Sequence, residues 1–234
     1  MSHLYSRHPR HFTAVDCIIF GYDISDKELK LLLIKRSFEP ALGQWSLAGG
    51  FVQEKESLDD AASRVLYSLT GLSDLFMEQL YTYGEVERDP GARVISTAYF
   101  ALIGIHELDP VIRRKNGAHW RSISNLPELI FDHRRMVDRA LLELVKTVKV
   151  RPVGFELLPE KFTLVQLQNL YEAIYLRAID KRNFRKKILS MNLLDKQDEK
   201  ERETSRKGAW YYRFNEERYK ELSRLGFFFN LVVS

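Results

Sequence analysis

Residues 50–72 read GFVQEKESLDDAASRVLYSLTGL, and the fold of the first half of the chain follows from how this stretch is punctuated. Ser57 is a good N-cap, because its hydroxyl accepts from a backbone N–H that the first helical turn leaves unpaired. Asp59 and Asp60 follow in that turn, where the helix dipole favours negative charge. Leu58, Ala61, Ala62, Val65, Leu66 and Leu69 recur at helical spacing, and Gly71 is placed to end the helix. Just ahead of it, Gly49 and Gly50 permit backbone shapes closed to other residues, or the close approach of another group.

On the N-terminal side, residues 13–22 (TAVDCIIFGY) and 29–36 (LKLLLIKR) are β-branched and aliphatic, with a polar turn between them. They predict a hairpin of buried strands. On the C-terminal side, strands are expected at 80–86 and 93–105, separated by the DPGA turn at 89–92. A second helix is expected from about His133 to Val148, with Met136, Val137, Ala140, Leu141, Leu144 and Val145 inward. Strands on both sides of a helix, with a late second helix, indicate an α+β protein built as an α/β/α sandwich.

Gly50, Glu56, Arg64, Leu66, Gly71 and Leu72 fall in register with the Nudix box: Gly, five residues, Glu, seven residues, Arg-Glu-aliphatic, any residue, Glu-Glu, any residue, Gly-aliphatic. Trp45 and Gly49 also fit, so residues 1–150 resemble a Nudix domain. In active members of that family, three helical glutamates hold divalent cations against a substrate diphosphate, since hard cations need several carboxylate oxygens at close range. Here those positions are Val65, Ser68 and Leu69. Asp59 and Asp60 lie at the wrong end of the helix to substitute. The resemblance therefore implies a pocket with no catalytic residues, no metal ligands and no cofactor, in which Glu56 and Arg64 form a structural ion pair.

The chain has 234 residues with a net charge of +4. Residues 1–150 hold 19 Lys and Arg against 20 Asp and Glu; residues 151–234 hold 17 against 12. All the excess positive charge lies in the last third, as expected of a nucleic-acid-binding part joined to a neutral one. No run approaches the length of a membrane span, and the N-terminus lacks the apolar core of a signal peptide. The lone Cys17 excludes an internal disulfide and a multi-cysteine zinc site, and reads as a buried core thiol. A cytoplasmic protein is expected.

After a connector marked by Pro152, Gly154 and Pro159, Thr163 is an expected N-cap, followed by a stripe of Leu164, Leu167, Leu170, Tyr171 and Ile174. Residues 179–190 (IDKRNFRKKILS) form the next helix, with Phe184, Ile188 and Leu189 inward. A long charged loop, an aromatic strand at 209–214, a short helix at 216–225 and an apolar tail at 226–233 complete the chain. The tail is expected to pack into a core or a dimer interface. Two short helices, the second basic, followed by a charged hairpin are the parts of a winged helix-turn-helix.

Taken with LYTYGEVERDPGARVISTAYFALI, the FDH of residues 131–133, LPEKFTLVQLQNLYEAIY and DKRNFRKKIL, the whole chain resembles the Nudix-related transcriptional regulators, NrtR-like, and within them the arabinose-responsive AraR branch. The resemblance implies an effector-sensing domain at 1–150 and a winged-helix domain at 151–234. It implies a homodimeric repressor of sugar utilisation, released from a palindromic double-stranded DNA operator by a pentose, L-arabinose. Candidate effector contacts are Asp16, Arg36, Trp45, Glu56, Tyr83, Glu85 and Arg93. Candidate DNA contacts are Arg182, Asn183, Arg185, Lys186 and Lys187 on the basic helix, with Lys200, Arg202, Arg206 and Lys207 on the wing. Three alternatives stay open: a hydrolase of ADP-ribose-like nucleotides, a regulator of NAD metabolism that senses ADP-ribose, and an adaptor whose basic helix docks an acidic partner.

Overall fold

The computed structural model describes residues 7–73, 75–105, 117–202, 208–227 and 229–231. Its spine is β1 (Phe12–Asp23), which pairs in parallel with β6 (Val94–Gly104) from Phe12↔Val94 to Tyr22↔Gly104. On its other side β1 pairs antiparallel with β2 (Glu28–Lys35) and, nearer its start, with β4 (Ala48–Phe51). The short β3 (Trp45–Ser46) and β7 (Ala118–Ser122) join β2, and β5 (Glu78–Tyr83) forms the far edge beside β6. β5 stops three residues before the expected Val86.

Strand β1 is apolar on both faces because both are covered. Val15, Cys17 and Ile19 pack against Ala61, Ala62, Val65 and Leu66 of helix α1 (Leu58–Thr70). Ile18, Phe20 and Tyr22 face the side covered by helix α2 (His133–Val150) with Met136, Val137, Ala140, Leu144 and Val148. Helix α1 begins as expected: Ser57 and Asp60 form a reciprocal capping box, and Gly71 ends it at φ 76° with its N–H bonded to Tyr67. Cys17 is fully buried and its thiol faces the Ala62 carbonyl; burial and the neighbouring Asp16 push its pKa up, so it is inert packing.

The second half opens with a 3₁₀ turn at Phe155–Leu157. A three-stranded sheet then combines β8 (Phe162–Thr163), β10 (Ala209–Phe214) and β9 (Leu194–Glu201) in the order β8-β10-β9. Helix α3 (Leu164–Tyr175) starts in a capping box between Thr163 and Gln166, and α4 (Lys181–Ser190) is capped by Asp180. Helix α5 (Glu216–Arg224) follows. Most of the expected charged loop is in fact β9. Charged residues recur along this wing strand because none of its side chains is buried. Leu189, expected inward, is exposed, whereas Phe184 and Ile188 are buried. Phe229 and Leu231 of the tail are buried, and Leu231 ties the tail to α2 and α3 by accepting from the Tyr175 hydroxyl and donating to the Lys149 carbonyl. Phe228, Val232 and Val233 lie outside the described residues. One apolar cluster runs without a break from Phe20 and Leu31 through Leu144 and Val148 to Leu167 and Tyr171. No helix among the described residues is long and apolar enough to cross a membrane.

Candidate functional site

Where β1 meets β4, the double glycine makes room for a carboxylate. A Cβ on Gly49 would lie 2.2 Å from Asp16 Oδ1, and a Cβ on Gly50 2.8 Å from Val65 Cγ2. Glycine at 49 thus lets the chain pass over the buried Asp16, and glycine at 50 lets α1 dock close. Asp16 is the floor of a cavity of ≈ 90 Å³ whose walls include Arg36, Phe38, Leu69, Arg88, Phe131 and His133.

The floor is a closed ionic network. Ser96 Oγ donates to Asp16 Oδ2 at 2.6 Å, an approach set by the parallel β1–β6 pairing. Arg88 donates from Nε and NH2 to both oxygens of Asp132, at 2.9 and 2.7 Å, and stands 3.7 Å from Asp16. His133 Nδ1 accepts from the Leu47 backbone N–H at 3.2 Å, which places the ring proton on Nε2, 3.6 Å from Asp16 Oδ1. Burial holds His133 below the usual imidazole range even though Asp16 and Asp132 attract a proton. Buried charges need such pairing, because taking them out of water unpaired is costly.

Arg36 at the wall is different. Its guanidinium lies over the Phe38 ring at 3.9 Å and near the Phe131 ring at 5.4 Å. Its Nε is buried with no hydrogen-bond partner among the described residues. A cation beside aromatic rings, with no carboxylate partner among the described residues, is available to a ligand anion.

Of the residues expected to meet an effector, the structure brings Asp16 and Arg36 into this cavity; the other five do not line it. Trp45 is sandwiched between Lys35 and Arg121, 4.0 and 4.6 Å from its ring, with His119 edge-on. Glu56 is fully engaged: Arg64 Nε and NH2 donate to its two oxygens at 2.8 and 2.5 Å, and the Gln53 N–H donates at 2.7 Å. The Arg64 pairing lowers its pKa to about 2, so it is a brace for the loop before α1. Tyr83 is buried against Tyr81 in the core. Glu85 is exposed and pairs with Arg135, and Arg93 donates to the Glu85 carbonyl. The sequence reading gave Ser96 no role, and named Phe131, Asp132 and His133 only as part of the family resemblance and not as site residues. A further local sign was an Asp set in the apolar run of β1, which implies buried partners from elsewhere.

The cavity does not fit a divalent cation. Val65 is packed on Gly50, Leu69 is an apolar wall, and Ser68 Oγ donates back to the Val65 carbonyl at 3.0 Å. Among the described residues, no three His, Cys, Asp or Glu side chains converge as ligands.

At the other end of the chain, the packing of Phe184 and Ile188 turns Arg182, Asn183 and Lys186 of α4 to solvent, with Arg185 and Lys187 half-buried. Arg182, Lys186 and Lys187 form no ion pair among the described residues. On the wing, Lys196 and Lys200 stand 3.8 and 4.3 Å from the Trp210 ring, and Arg202 is exposed. Arg206 and Lys207 lie outside the described residues.

Comparison with known proteins agrees with both ends. Residues 10–140 match the Nudix domain family, and residues 154–214 match the NrtR DNA-binding winged helix domain family. An ADPR-responsive transcriptional repressor of Acinetobacter baylyi is 30% identical over 213 residues, which is 89% of this chain and 84% of that protein. An ADP-ribose pyrophosphatase of Methanocaldococcus jannaschii is 36% identical over 124 residues, 53% of this chain and 69% of its own. The crystal structure of Shewanella oneidensis NrtR complexed with a 27mer DNA superposes with a TM-score of 0.74 at 31% identity, covering 86% of this chain and 93% of that one. The chain belongs to the NrtR family of Nudix–winged-helix proteins.

Proposed function

We propose that this chain is a transcriptional repressor that binds a palindromic operator as a homodimer and is released when ADP-ribose, or a closely related nucleotide diphosphate, enters the Nudix cavity and is recognised without being cleaved. The observation that carries the reading is the pairing of two features in one cavity. Its helix presents Val65, Ser68 and Leu69 where a hydrolase needs carboxylates, and Arg36 offers a cation to an anionic ligand. The A. baylyi relative, named as answering to ADPR, supports the same effector. Residues 1–150 would sense and residues 151–234 would bind DNA, with Arg182, Asn183, Arg185, Lys186 and Lys187 in the major groove and Lys200, Arg202, Arg206 and Lys207 along the backbone.

A second effector reading, L-arabinose, is favoured by one observation. The cavity, at ≈ 90 Å³, is small beside pockets that enclose whole ligands of drug size, roughly 300–1,000 Å³. A small sugar suits that size better than a whole dinucleotide-sized ligand. The comparisons lend the sugar no support. A gel shift with a duplex selected from a random pool by the full-length protein, titrated with ADP-ribose and with L-arabinose, tests both. Release by ADP-ribose alone is expected, and release by arabinose alone would reverse the choice. Incubation of ADP-ribose with Mn²⁺ and the protein should return it intact; steady turnover would end the claim of recognition without cleavage.

A further inference from the structure

The β1–β2 turn and the winged-helix half enclose a groove of ≈ 700 Å³. Lys27 of the turn, Gln166 and Asn169 of α3, Lys181 and Arg185 of α4 and Trp210 of β10 line it. Three of these are cations from two separate elements, the β1–β2 turn and α4, against one carboxylate on the wall, Glu201. The acidic residues of the turn are directed elsewhere: Asp23 and Asp26 both bind Lys30. Lys27, exposed and held at φ 57°, forms no ion pair among the described residues. The Nε of Arg185 is buried with no hydrogen-bond partner among the described residues. The first turn of α3 also opens here, adding the positive end of a helix dipole.

The groove is continuous with the exposed face of α4, since Lys181 and Arg185 belong to the helix that presents Arg182, Asn183 and Lys186. A surface that is net positive, far larger than a single phosphate and next to a recognition helix complements a chain of regularly spaced phosphates. We propose that this groove seats the sugar–phosphate backbone of the bound duplex, and that Lys27, on the Nudix half, is one of its phosphate contacts. The inference rests on the DNA-binding reading above. It gives that reading a physical link to the effector. Asp16 lies on β1 and Arg36 directly follows β2, so a ligand in the cavity and a duplex in the groove act on opposite ends of the same two strands. Binding at either end that shifts the hairpin weakens or strengthens the other, and the coupling is reciprocal.

The test uses the full-length protein and the selected duplex, with affinity measured by fluorescence anisotropy between about 50 and about 200 mM salt. Lys27→Asn removes the charge with a residue that tolerates left-handed backbone, and Lys27→Arg retains the charge. The Asn variant is expected to lose several-fold in affinity at the lower salt and about one unit of the log–log salt slope. The Arg variant should keep both, and ADP-ribose affinity and melting temperature should not change in either. Asn and wild-type proteins with the same affinity and slope would overturn the proposal while leaving the DNA-binding reading intact, provided that Arg182→Ala still weakens binding. A wild-type protein that enriches no sequence would overturn both.

Discussion

The cavity and the α4 face are both rich in charge, but they hold it in opposite ways. In the cavity Arg88 is 3% exposed and locked by two hydrogen bonds to Asp132, with Asp16, Ser96 and His133 closing the network. On α4, Arg182 and Lys186 extend into water without an ion pair among the described residues. Buried charges must be paired, so theirs is a structural role. Exposed cations keep their hydration, cost the fold little, and exchange small counterions for phosphates. The same residue types therefore shape a buried site at one end and present solvated charge at the other. Substitutions should separate stability from affinity accordingly.

The largest effect is expected at the buried end. Arg88→Met strands Asp132 and Asp16 in the interior, at a cost of about 3–5 kcal/mol, or roughly 10 °C in melting temperature. A thermal melt within a degree or two of wild type would erase the contrast. Next, the double reversal Arg182→Glu with Lys186→Glu should cut duplex affinity by about 100-fold with little change in melting temperature. An equal loss of stability would mean that this face is structural after all.

Arg36→Gln sharpens the comparison, because Arg36 is the cavity cation that pairs with no carboxylate among the described residues. Titration calorimetry should show ADP-ribose affinity down by about tenfold while DNA affinity without effector is unchanged. A pH series probes the network itself. The unfolded chain takes up the His133 proton near pH 6.5, whereas the folded chain resists it. Stability should thus be full above about pH 6.5 and decline as pH falls below it, by at most about 1.4 kcal/mol per pH unit. His133→Gln should flatten that decline, and an unaltered pH profile would show that the ring is not held neutral. The smallest effect belongs to the Glu56–Arg64 brace. Glu56 has its pKa lowered, so its contribution is present above about pH 4.5 and fades as pH falls toward about 2. Glu56→Gln should lower the melting temperature slightly at pH 7 and hardly at all near pH 2.

Local features were legible in proportion to how little they depend on distant chain. The Ser57 and Thr163 caps, the Gly71 stop, the two-sided burial of β1 and the inward stripe of α2 follow from periodicity and capping chemistry within a few residues. The loss of carboxylates at Val65, Ser68 and Leu69 is likewise a matter of spacing along one helix. The lining of the cavity was read less well. Trp45, Tyr83 and Glu85 have suitable chemistry, but each is claimed by neighbours that no spacing rule reveals. The charged segment before β10 looked like a loop because a strand with no buried side chain shows none of the alternation that marks a half-buried one.

By itself the sequence determined the two-part architecture, the absence of a metal-gripping helix face and the placement of excess positive charge on a short helix near the C-terminus. Only the tertiary structure decided which charges meet. Asp16 reaches Ser96 across 80 residues, and Arg88 reaches Asp132 across 44, through strand register and helix docking. Those contacts exist because burying β1 between α1 and α2 forces each polar group carried inward to find a partner, and the partner is chosen by packing over the whole domain and not by nearness along the chain.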